Sequence, residues 1–362
     1  VNLQRLNTIW ALSREGAGRY RTNALRIFLR LGHLSRKFRV NPEEACRVGI
    51  VDPALSDAEI SRRFISKYLL QKIQTQYNPK SHFGITEDKA IFAAFCQGHS
   101  VPHPKLLAAF SPQGGWAGEG GAIHGRADWE KFFTEQLPER FVLKPTAGWH
   151  GNDVSVLTRN GALFEDNEGI ERDAAQLYDF LMSSGDSNSR WVLQKVLANH
   201  PELVRLTGSG AISTCRMITL VDATGRTRLF HAHLRSIVGE NVVDNIKYGQ
   251  TGNLVSGVDL ENGALSETKR AASKWGCDEV EAHPGTGVSF RSFRVPDWGK
   301  ARDLVLAIAP KFLPARALGW DVAFTPEGPV VIEGNACWDP VNSLECSPRV
   351  IEPFREDYLK LL

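Results

Sequence analysis

Gly319-Trp320-Asp321-Val322-Ala323-Phe324-Thr325-Pro326-Glu327-Gly328-Pro329-Val330-Val331-Ile332-Glu333-Gly334-Asn335 is the stretch whose reading decides the fold. Pro326-Glu327-Gly328 can turn between two strands, which brings Asp321 on the first close to Glu333 and Asn335 on the second. Glu333 and Asn335 are two apart, so both side chains leave the same face of a strand. Two carboxylates and one amide oxygen on one face make a hard-oxygen site suited to Mg²⁺. The plain alternative is an exposed acidic hairpin. Against it, Glu333 directly follows Val330-Val331-Ile332, at the end of a strand with the composition of a buried one, and a carboxylate there needs a partner or a metal.

Upstream, Phe141-Val142-Leu143-Lys144 is an apolar strand that delivers Lys144 to a loop containing Gly148 and Gly151. Glycines let backbone N–H groups close around phosphate oxygens while the lysine supplies a point charge. The order differs from a Walker loop, in which the lysine follows the glycines and opens a helix. A further strand, Trp191 to Leu197, runs into Ala198-Asn199-His200-Pro201. An extended segment ending in a loop can offer backbone groups to a base edge and polar side chains to a sugar. Taken alone it is a core strand.

Around these stretches the texture divides. Residues 1–80 read as helical: Leu25, Phe28, Leu29 and Leu34 recur at helical spacing, as do Phe64, Ile65, Tyr68, Leu69 and Ile73. Ser56 and Glu59 form a capping-box pattern, and Asn78-Pro79-Lys80-Ser81 breaks the helical run. This N-terminal region is expected to serve as a lid or a homo-oligomer contact. From residue 82, short strands (Lys105–Phe110, Arg140–Lys144, Val154–Leu157, Met217–Val221) alternate with single helices (Lys89–Gln97, Asp128–Phe133, Ala174–Met182, Lys300–Ala309). Hairpin turns are expected at Val221–Gly225 and Leu260–Gly263. Mixed helices and antiparallel hairpins predict an α+β fold. The expected units are 1–80, 81–190 and 191–362.

At 362 residues, with 42% hydrophobic and 23% charged residues, the chain suits several packed subdomains and not disorder. No apolar run is long enough to span a bilayer. No signal-peptide pattern is read at the N-terminus. Six scattered cysteines without a C-x-x-C pair fit a reducing cytoplasm better than a disulfide framework or a zinc site. Cys337 is read as a buried filler. The net charge of +2 hides 15 Lys and Arg against 6 Asp and Glu in residues 1–80. Such a face can meet nucleic acid, anionic lipid or an acidic chain. A solvated helix face is the favoured reading, and nucleic acid is disfavoured because aromatics are not interleaved with the charges.

In order, Asp88-Lys89, Lys144 with its glycine loop, Gln194 to Leu197, Arg216, and Asp321 with Glu333 and Asn335 resemble the ATP-grasp superfamily over roughly residues 82–345. Leu197-Ala198-Asn199-His200-Pro201, Asp244-Asn245-Ile246-Lys247-Tyr248-Gly249, His283-Pro284-Gly285-Thr286-Gly287 and Gly319-Trp320-Asp321-Val322-Ala323 resemble the sugar-transfer-associated ATP-grasp family. The resemblance implies two α+β subdomains gripping ATP. It also implies that Lys89 and Lys144 contact the phosphates beneath a loop with Gly148 and Gly151. Gln194, Lys195 and Leu197 would meet adenine, and Asn199 or His200 the ribose. Arg216, Arg235 and Asn245 would line the catalytic floor, and Asp321, Glu333 and Asn335 would hold Mg²⁺. Two features depart from the superfamily pattern: Gln194 stands where many members have Glu, and residues 1–80 lack the usual strand-rich domain.

Three activities fit the resemblance. One is a ligase that forms an acyl-phosphate from a carboxylate and joins it to an amine or thiol. Another is a small-molecule or sugar kinase, and the third a non-catalytic nucleotide-binding scaffold. His231 and His233, one residue apart on a strand, are read as structural because no third ligand stands at suitable spacing. His283 is either a loop histidine or an acceptor contact. Residues Lys247 to Pro296 are expected to shape the acceptor pocket.

Overall fold

The computed structural model describes residues 3–147, 154–183, 190–271, 274–339 and 348–362, so Gly148 and Gly151 lie outside the described residues. Among these, two antiparallel sheets form. The first contains β1 (Leu106–Ser111), β2 (Gly114–Ala117), β3 (Ala122–Ile123), β4 (Arg140–Pro145), β5 (Ser155–Asn160), β6 (Leu163–Glu165), β7 (Glu171–Arg172) and β8 (Trp191–Lys195). Its spatial order is β3-β2-β1-β8-β4-β5-β6-β7. The second contains β9 (Thr214–Val221), β10 (Thr227–Ser236), β11 (Leu254–Val258), β12 (Leu265–Ala271), β13 (Cys277–Glu279), β14 (Ala317–Thr325) and β15 (Gly328–Asn335). Its order is β13-β12-β11-β10-β9-β14-β15. The expected α+β class is the observed one. The division at 190/191 assigned Trp191–Lys195 to the C-terminal unit, whereas β8 is hydrogen-bonded between β1 and β4 in the first sheet.

Each sheet has one apolar face and one that meets the other sheet across a cleft. Phe110, Phe141, Leu143 and Leu193 of the first sheet pack with Trp129 and Phe133 of the helix Gly125–Glu135 and Leu177 of the helix Ala174–Ser183. On the second sheet, Met217, Leu234, Trp320 and Val322 pack with Val305 of the helix Trp298–Ile308. The helix Lys89–Gly98 joins the sheets. It sends Phe92 and Cys96 into the second sheet's core and Ala90 and Ala93 against Val192 of the first. Asp88 caps it by accepting from the Ala90 and Ile91 amides.

The opposite face of the second sheet is partly covered by the helix Lys67–Tyr77, whose Leu69, Leu70 and Ile73 pack with Ile218, Trp338 and Tyr358. The break at Asn78 is therefore a joint. Buried Asn78 donates from Nδ2 to Ala317 O (2.6 Å) and Ala336 O (2.7 Å), and its Oδ1 accepts from Ala317 N (2.9 Å). Residues 12–64 build a core of their own, around Ile27, Leu31, Leu34 and Phe64. Here the helical periodicity misled. In the helix Ala24–Lys37 the buried residues are Ile27, Leu31 and Leu34, while Leu25 and Leu29 point outward. Tyr68 is likewise exposed. The capping box at Ser56 and Glu59 is present.

Asn78→Ala takes the side-chain partner from Ala317 N and Ala336 O, while Ala317 O keeps Trp338 Nε1 at 3.0 Å. It is expected to destabilise the chain by about 3 kcal/mol in urea unfolding. A loss below ~1 kcal/mol would show that the joint is not needed.

Candidate functional site

The functional residues lie in a row across the second sheet. Asp321 on β14 is the direct cross-strand partner of Glu333 on β15 and of Arg216 on β9, and Arg216 is the partner of His233 on β10. Direct partners share a face, so the row reads carboxylate, carboxylate, guanidinium, imidazole. Arg235, two residues beyond His233, lies on the same face. The two-residue turn Pro326–Glu327 sets the β14–β15 register, as expected. A bulge between Asp321 and Val322 then keeps Val322 and Val331 on the apolar face.

Asp321 is the hub. Arg216 forms a two-pronged ion pair with it, Nε to Oδ1 and Nη2 to Oδ2 (3.1 Å), and Arg235 Nη1 reaches Oδ2 at 3.2 Å. Burial opposes ionisation of Asp321, but the two guanidiniums outweigh it and hold the carboxyl below the usual carboxylate range. Asp244 supplies the balancing charge for Arg235 at 3.9 Å and accepts from the Thr214 amide at 2.7 Å. Gly319 makes room for this knot. A Cβ there would lie 2.7 Å from Trp338 Cβ and 3.3 Å from Arg216 Cδ.

Glu333 stands opposite Asp321 and is hydrogen-bonded to it. Burial, then the Asp321 carboxylate, push it up against the pull of Lys89 and Lys144. Asn335 Nδ2 lies 3.4 Å from Glu333 Oε1. Among the described residues no group of three or more His, Cys, Asp or Glu could hold a metal. Two carboxylates plus an amide nevertheless fit Mg²⁺ in donor chemistry. Like charges directly opposed across strands are unfavourable, and a cation at Glu333 and Asn335 would relieve them. Asp321 is the least available of the three, because both its oxygens are engaged by arginine.

The cleft encloses a cavity of about 1150 Å³. One wall carries Lys144 and Val142 from β4, Val156 from β5, and Gln194 and Lys195 from β8. The other carries Arg216, Arg235, Asp321, Glu333 and Asn335, with Lys89, Leu197 and Asn245 also lining it. Burial pushes Lys144 down to about 8, with Glu333 opposing the shift. The Lys195 amide is already donated to Lys105 O at 2.9 Å, and β8 ends there, with Val196 and Leu197 continuing along the cavity. Asn245 lines the cavity while its Oδ1 accepts from the Lys247 amide.

Neither residue expected at the ribose is brought to the cavity. Asn199 donates to Ala211 O at 2.9 Å, and His200 Nδ1 caps the helix Pro201–Thr207. The cavity is lined there by Gly210, Ala211 and Ile212 instead. His231 and His233 contact each other at 3.1 Å, and neither lines the cavity. His283 Nδ1 accepts from the Gly285 amide at 3.2 Å and its Nε2 donates to Ile237 O at 2.8 Å. Cys337 lines the cavity, but burial raises its thiol pKa, which suits no nucleophile. Sequence reading missed Asp244. It also missed Lys67, Gln71 and Gln74, through which the N-terminal helix lines the cavity. Lys67 and Asp339 pair at 2.6 Å across it.

The chain matches the family described as sugar-transfer associated ATP-grasp over residues 69–345. It belongs to that family. The match begins inside the helix Lys67–Tyr77, in keeping with that helix being part of the cavity wall. A comparison with curated proteins gave no match. Similar solved structures include D-cycloserine synthetase (14% identity, TM-score 0.40, covering 75% of this chain and 70% of that one). D-alanine–D-alanine ligase from Bacillus anthracis is another (11%, 0.39, 77% and 66%). Biotin carboxylase from Campylobacter jejuni is a third (12%, 0.43, 76% and 46%). The chain thus spans less than two thirds of the length of some of these proteins.

Asp321→Asn strips the hub from two buried guanidiniums. It is expected to cost roughly 3–5 kcal/mol in denaturant unfolding. An unchanged unfolding midpoint would contradict the ion-pair assignment.

Proposed function

We propose that this ATP-grasp chain is an ATP- and Mg²⁺-dependent ligase that forms an acyl-phosphate from a carboxylate and joins it to an amine or thiol. The observation that carries the reading is one cavity lined by four cations (Lys89 and Lys144, with Arg216 and Arg235 held by Asp321) and by the acidic pair Asp321 and Glu333 beside Asn335. Lys144 and Lys89 would hold the ATP phosphates, and the apolar Val142, Val156 and Leu197 would receive the base. Glu333 and Asn335 would hold Mg²⁺, with Asp321 behind them, and the ion would neutralise charge on the phosphates.

Arg216 and Arg235 suit an anionic substrate, because a guanidinium can pair with a carboxylate in a fixed fork. Held by Asp321 and Asp244, they are pre-oriented and need no reorganisation as charge builds on the transferred phosphoryl group. Alignment and charge neutralisation, not covalent catalysis, are then the chain's contribution. A kinase acting on a hydroxyl could use the same guanidiniums on the transferred phosphoryl group, so the products distinguish the two.

Incubation with Mg²⁺-ATP, hydroxylamine and pools of amino acids, dicarboxylates and uronic acids is expected to release ADP and phosphate and to yield a hydroxamate from one pool. ADP release with no free phosphate would mark a kinase. No turnover with any pool would count against the enzyme reading.

Lys144 gives a pH signature. In the free protein its charge is lost as pH rises through about 8, whereas bound phosphates favour the charged form. ATP affinity is expected to fall above that pH, by up to about tenfold per unit. Lys144→Arg should flatten the calorimetric profile, because arginine stays charged. A wild-type affinity level from pH 7 to 10 would rule Lys144 out as a phosphate contact.

A further inference from the structure

The helix Leu3–Arg19 and the helix Ala24–Lys37 pack side by side, with Trp10 and Phe28 in edge contact at 5.8 Å between ring centroids. Their outer surface is not the polar face expected of a solvated pair. Trp10 is 45% exposed, Leu6 39%, Leu25 59% and Leu29 63%. Single exposed apolar residues need no explanation, but a tryptophan and several leucines on two adjoining helices do.

The same surface is cationic. From Leu3 to Val40 the chain carries nine Arg and Lys and one acidic residue, Glu15. Three of the nine meet internal partners: Arg30 donates to the Ile50, Val51, Asp52 and Leu55 carbonyls, Lys37 pairs with Asp57, and Arg19 hydrogen-bonds Tyr20. Arg14, Arg21, Arg26 and Arg36 are exposed. The single acid is turned toward Trp275 and Lys274.

We propose that this helix pair is a docking surface for an anionic lipid bilayer, lying in the plane of the membrane interface. An amphipathic surface with Trp and Leu at the acyl boundary and arginines at the headgroups binds through both apolar burial and charge. Among the described residues no helix is long and apolar enough to cross a membrane, so the contact is peripheral. A second copy of the chain is a poorer occupant, since two such faces would oppose like charges. Nucleic acid would leave the leucines unused. Beneath the surface, Ile27, Leu31 and Leu34 bury the other side of the helix in a packed core, so the outward leucines are not needed for folding.

The test is flotation of the full chain with phosphatidylcholine vesicles and with phosphatidylcholine–phosphatidylglycerol vesicles, at low and high salt. The chain should float with the anionic vesicles alone, and high salt should weaken the association. A Leu25→Ser, Leu29→Ser variant with unchanged circular dichroism should lose roughly tenfold in vesicle affinity. Arg21→Glu, Arg26→Glu should do the same through charge. The proposal is overturned if the wild type stays with the buffer when anionic vesicles float, or if both variants float like wild type. It is also overturned if sedimentation equilibrium shows a dimer that the serine variant dissolves, which would assign the face to contact between copies.

Discussion

The buried carboxylate of Asp321, shared between Arg216 and Arg235, is the constraint on which the site depends. A charge removed from water is tolerated only with partners in good geometry. Here the partners come from strands 105 and 86 residues away in sequence. β9, β10 and β14 must therefore be in register before the pair can form. The same register places Glu333 opposite Asp321, so that two carboxyl groups meet at the cavity wall. A cation is thus favoured where nucleotide phosphates would arrive, and two arginines are already oriented toward the same space.

Around this row, the two sheets are held by elements that touch both sides. The helix Lys89–Gly98 splits its apolar side between two cores, so the distance between the sheets is set by packing. Its first residue, Lys89, lines the cavity at the helix start. The helix Lys67–Tyr77 packs on the second sheet and lines the cavity with Lys67, Gln71 and Gln74. Asn78 ties it to β14 and the loop after β15, and Glu44 accepts from the Lys67 amide at 2.9 Å. The N-terminal region is continuous with the site wall through this helix.

Legibility in the sequence followed the range of the physics involved. The β14–β15 hairpin was readable because turn chemistry and two-residue alternation are local. Lys144 could be placed because an apolar strand precedes it directly. The Arg216–Asp321 pair could not be read, because nothing local in either strand names a partner so far along the chain. Asp244 was hidden for the same reason. Asn199 and His200 have the residue types of ligand contacts, yet Asn199 Nδ2 closes its loop onto Ala211 O and His200 Nδ1 caps a helix. In the helix Ala24–Lys37, apolar residues stand on two sides. Periodicity established a helix but not which side faces inward.

A crystal structure with a non-hydrolysable ATP analogue and Mg²⁺ is the decisive measurement. The base is expected among Val142, Val156 and Leu197, and the phosphates between Lys89 and Lys144. The ion should lie at Glu333 and Asn335, and Arg216 and Arg235 should face the γ-phosphate with their Asp321 pair intact. A nucleotide bound outside this cavity, or phosphates pointing away from the Arg216–Asp321–Glu333 row, would contradict it.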